Sequence, residues 1–79
     1  MSVSIEKETA KELVTFKLQH LREEIQSILN KWEEDNTDDF ISKAKSGTLE
    51  NAEMDAILMR QLLADYKRLK DLLESITSN

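Results

Sequence analysis

Cysteine and proline are absent, glycine occurs once, and the aromatic residues are two Phe, one Trp and one Tyr in a chain of 79 residues. Without cysteine there can be no disulfide staple and no thiolate metal site, which fits a reducing compartment. Without proline, and with Gly47 as the one strong chain breaker, the turns that separate the strands of a β-rich domain are missing. Long hydrophobic runs are missing as well. The longest, Ala56-Ile57-Leu58-Met59, falls far short of the roughly 20 residues of a membrane-spanning helix. The opening residues 1–6 lack the basic and apolar regions of a signal peptide. A cytoplasmic location, away from any membrane, is the expectation.

Positive charge is also short, with 11 Lys and Arg against 16 Asp and Glu for a formal net charge of −5. Residues 1–34, 35–47 and 48–79 carry −2, −1 and −2, so the excess is not gathered in a tail. A nucleic-acid binder presents a basic face to phosphates. The one basic stretch here, Lys67, Arg68 and Lys70, is better placed to meet the negative end of a helix dipole.

What is present is helical periodicity. Val14, Leu18, Leu21, Ile25, Ile28 and Trp32 recur at alternating spacings of 4 and 3, the seam of one long helix predicted over about 5–34. Ser4 is expected to cap it, and Glu6 and Glu8 favour its positive end. A short helix is predicted over about 38–45, with Asn36 or Thr37 as cap and Phe40, Ile41 and Ala44 as its apolar face. Gly47 then supplies a left-handed stop. Thr48 is the expected cap of a second long helix over about 49–76, whose apolar residues form two rows: Leu49, Ala52, Ala56, Met59, Leu63 and Tyr66 beside Leu58, Leu62, Leu69, Leu72 and Ile76.

Residues 1–79 therefore read as a single all-α domain, an antiparallel hairpin of two long helices with a short connecting helix. Two helices share one seam, yet the last carries a face too wide for one partner. The expected resolution is a homodimer or higher homo-oligomer closing into a four-helix bundle through Leu58, Met59, Leu62, Leu63, Tyr66 and Leu69.

Five positions stand out as candidates for binding or chemistry. At 100° per residue, Phe16 and His20 lie away from the first seam with Leu13 at its border, a patch either covered by another element or free to bind a different protein. Asp55 and Lys70 fall inside the apolar arc. A lone buried carboxylate is costly, so Asp55 is expected to bond the connector or pair with Lys31, with partner binding and proton or metal chemistry as alternatives. Lys70 is expected near Glu8 or Glu12, its stem buried and its ammonium in water. Carboxylate-bridged metal sites in bundles need Glu-x-x-His pairs, and none occurs here. No nucleophile stands with a base, and no Gly-rich phosphate loop exists. Neither catalysis nor a cofactor is expected.

The stretch Ser2-Val3-Ser4-Ile5-Glu6-Lys7-Glu8-Thr9-Ala10-Lys11-Glu12-Leu13 resembles the start of small archaeal antitoxins, where an alternating strand leads into a helix with a similar Glu-Thr and Leu pattern. The resemblance implies a strand at Val3 and Ile5 that could pair between copies and touch DNA. Ser2 and Ser4 stand where basic residues would serve such contact, and a ribbon-helix-helix chain would begin its second helix much sooner. The leading functional reading is a protein–protein interaction module: an adaptor, a regulator or an antitoxin-like neutraliser. The alternatives are a DNA-binding transcriptional regulator and, further off, a metal-dependent helical-bundle enzyme.

Overall fold

The computed structural model describes residues 3–77, which form α1 (Val3–Lys31), α2 (Thr37–Ser46) and α3 (Glu53–Thr77). All three are helices, and no strand occurs among the described residues. Val3 and Ile5 lie within α1, so the strand implied by the antitoxin resemblance is not formed there, while Ser2 lies outside the described residues. Ser4 likewise sits inside the helix rather than capping it.

α1 stops at Lys31, three residues before its expected end, and it does so without glycine. Glu33 adopts the left-handed region at φ 55°, the Glu33 amide donates to the Asn30 carbonyl, and the Glu34 amide donates to the Leu29 carbonyl. This pair of bonds is the Schellman closure, which satisfies carbonyls that the helix end leaves free. A side chain at that φ costs about 1–2 kcal/mol, a strain offset by turning the chain so that Trp32 packs inward. Asn36 then caps α2: its side-chain oxygen accepts from the Asp39 amide at 2.8 Å, and its amide group donates to the Asp39 carboxylate at 3.0 Å. Gly47, at φ 84°, ends α2 with its amide donating to the Ala44 carbonyl.

α3 begins four residues later than the periodicity suggests. The Leu49 amide turns back to the Lys43 carbonyl, and Asn51 enters the left-handed region at φ 61°. Thr48 shares a hydrogen bond with Ser46 instead of capping α3. The residue before α3 is Ala52, which has no capping group and is fully buried. Core packing outweighs capping at this position, because a polar side chain there would be stranded among apolar neighbours.

α1 and α3 lie antiparallel over most of their length, and α2 packs against α3 at the connector end. Leu21, Ile28 and Leu29 of α1, Phe40 and Ala44 of α2, and Ala52, Met59 and Leu62 form the core. Phe40 and Met59 are its largest fully buried side chains. Trp32 tilts against Phe40 with ring centres 6.3 Å apart. Beyond this cluster, Val14 and Leu18 of α1 are the other buried apolar residues among those described.

The result is long and thin, 55 × 18 × 17 Å with a radius of gyration of 16.0 Å, against about 12 Å for a compact chain of this length. Its accessible surface is 6001 Å², whereas a compact monomer of this mass exposes about 4,900 Å².

Candidate functional site

Three surfaces of the chain carry candidate binding features, and the first is the connector end. Asp55, in the first turn of α3, accepts hydrogen bonds on one oxygen from both the Lys31 ammonium and the Trp32 indole, each at 2.8 Å. Lys31 also lies 5.5 Å from the Trp32 ring centre. These two donors, more than the opposing effect of burial, hold the Asp55 carboxyl below its usual range. Nearby, both Glu34 oxygens accept from Lys43, at 3.0 and 3.1 Å. That bond holds the Lys43 ammonium above its ordinary range. The first ion pair thus ties the start of α3 to the end of α1, and the second ties the last turn of α2 to the turn that follows α1.

The sign of the Asp55 contribution follows from its lowered pKa: the stabilisation is present above the unfolded value of about 3.8 and is lost as pH falls through the lower folded value. Asp55→Asn should therefore lower the melting temperature by a few degrees at pH 7, and the gap should narrow as pH falls below about 3.8. Thermal melts across that range check this, and a gap independent of pH would show that the charge contributes nothing.

Charge is concentrated at this end. Residues 33–39 hold Glu33, Glu34, Asp35, Asp38 and Asp39 with no Lys or Arg, a formal −5 that equals the net charge of the whole chain. Division of the sequence at residue 34 splits this run in two and hides it. The run is contiguous in sequence and lies in the connector between α1 and α2 and in the start of α2.

The second surface is a stripe on α3. Met54, Ile57, Leu58 and Leu72 are exposed, Met54 at 76%. Of the six residues expected to join copies, Leu58 is exposed; Leu63, Tyr66 and Leu69 are half-buried against the core; and Met59 and Leu62 are buried inside the single chain. The closure of Met59 and Leu62 comes from α1 and the connector elements together, which cover one of the two apolar rows and leave the edge of the other in water. Ile57 also borders a groove of about 350 Å³ between α2 and α3, lined by Ile41, Ala44, Ala56, Lys45, Glu53 and Arg60.

The third surface is on α1. Leu13 and Phe16 are exposed, Phe16 at 74%. His20 is exposed too, its Nε2 2.9 Å from Glu24 one turn on. The structure thus leaves this patch uncovered in the single chain. Lys70 is exposed and pairs with neither Glu8 nor Glu12 among the described ion pairs.

Among the described residues, no group of three or more His, Asp or Glu side chains is placed to hold a metal ion, and no helix is long and apolar enough to cross a membrane. Comparison with protein-family models, with curated proteins and with solved structures finds no match for this chain.

Proposed function

We propose that this chain is a small acidic protein–protein interaction module, an adaptor, regulator or antitoxin-like neutraliser, that works as a homo-oligomer. The carrying observation is the surface left over after folding. The chain exposes 6001 Å², about 1,000 Å² more than a compact monomer of its mass, and a standard interface takes about 800 Å² from each partner. The large apolar side chains within that surplus are on α1 and α3, outside the core that the chain closes by itself.

Sedimentation equilibrium tests the reading. The unaltered chain should sediment as two or more copies at micromolar concentration, and Leu58→Glu should reduce it to one copy while the far-ultraviolet circular dichroism stays helical. Leu58 suits this purpose because it is exposed, whereas Leu62 is buried and a charge there would unfold the chain for reasons of its own. A single copy at high micromolar concentration for the unaltered chain would overturn self-association.

A further inference from the structure

We propose that the exposed stripe of α3 seats α3 of a second copy, laid antiparallel, about a two-fold axis level with residue 63. The proposal rests on the self-association reading above and adds to it the face, direction and register.

Met54 and Leu72 are 18 residues apart, five full turns, so they share one azimuth about 27 Å apart along the helix. Leu58, Gln61, Asp65 and Arg68 lie along the same line between them, within about 40° of it. The stripe is apolar at its two ends and polar in its middle. A two-fold axis at residue 63 sets Met54 against the partner's Leu72, Gln61 against the partner's Asp65, and Leu58 against the aliphatic stem of the partner's Arg68. Each contact occurs twice, as an isologous interface requires. The Gln61 amide can donate to the facing carboxylate, while Asp65 retains Arg68 of its own chain as ion-pair partner.

Charge decides the direction. A parallel pair would face Asp65 with Asp65 and Arg68 with Arg68. It would also set two acidic connectors side by side, each carrying a net −3 over residues 33–47 once Lys43 and Lys45 are counted. The antiparallel pair holds the connectors about 30 Å apart, several Debye lengths at physiological salt. The surplus of surface, about 1,000 Å², is enough to supply one such interface from each copy.

The chain has no cysteine of its own, so introduced thiols report without background. The double variant Met54→Cys with Leu72→Cys should pass almost wholly into covalent dimer on mild oxidation, while Met54→Cys alone and Leu72→Cys alone should remain reduced. Both positions are exposed, and circular dichroism checks that the variants stay folded. Efficient self-linking of either single variant would show a parallel pair and overturn the proposal. A dimer in sedimentation with no cross-link in the double variant would place the interface on another face, overturning this proposal while self-association stands. A monomer in sedimentation would overturn both, leaving the stripe to a different protein.

Discussion

Replacement of Phe40 by alanine is expected to cost about 3–5 kcal/mol, the range for deleting a fully buried phenyl ring. Phe40 is the main anchor of α2: it is fully buried, its ring meets Trp32, and Ala44 is the only other core residue that helix contributes. Domains of this size have about 4–12 kcal/mol in total, so the loss takes a large share of it. At about 4–8 °C per kcal/mol, the melting temperature should fall by more than 10 °C. The single Trp provides a second readout, because Trp32 loses the ring it packs on and its fluorescence should shift toward that of water-exposed indole. A fall of less than about 4 °C, equivalent to under about 1 kcal/mol, would show that α2 is an appendage and that the core stands on α1 and α3 alone.

The second large effect separates the two sides of α1. Leu21 is buried at 2% exposure and Phe16 is exposed at 74%, although they are five residues apart on one helix. Leu21→Ala should cost about 2–5 kcal/mol through lost burial and the cavity left behind. Phe16→Ala should stay within about 0.5 kcal/mol, a change of a few degrees at most. Paired thermal melts measure both. If Phe16→Ala proved as damaging as Leu21→Ala, Phe16 would belong to a second core made with another copy, and the patch it forms with Leu13 and His20 would not be free for a different protein.

Much of the connector could be read from residue types. Asn36 caps α2 because its short side-chain oxygen reaches the free amide of Asp39, and Gly47 ends it because only a residue without Cβ takes φ 84° without strain. The placement of Asp55 was also accessible: a carboxylate within an apolar arc requires donors, and Lys31 is the cation at the matching level of an antiparallel hairpin. The Trp32 indole as a second donor was not accessible, since Trp32 also fits the seam of α1 and only the turn at Glu33 swings its ring toward both Phe40 and Asp55.

The ends of the long helices were hidden for a related reason. Nothing in Glu33 or Asn51 announces a left-handed backbone with the force of a glycine, and the apolar rows run past both stops without a break. Trp32 keeps the period of α1, and Leu49 and Ala52 keep the period of α3, yet Leu49 and Ala52 reach the core from a turn. Periodicity records which residues are buried, and it does not record the backbone that carries them there.

Residue types alone set the class of the fold: the lack of proline, the solitary glycine and the 3–4 spacing of apolar residues permit helices and little else, because each of these acts locally and independently of what the helix meets. They also determined that α3 carries more apolar surface than one helix can cover. Which part of that surface the chain consumes was decided by tertiary structure alone. Met59 and Leu62 go inward and Met54, Leu58 and Leu72 stay in water, since burial depends on where α1 and the short α2 come to rest, and that position is set by contacts between separate segments, Phe40 against Trp32 and Lys31 against Asp55.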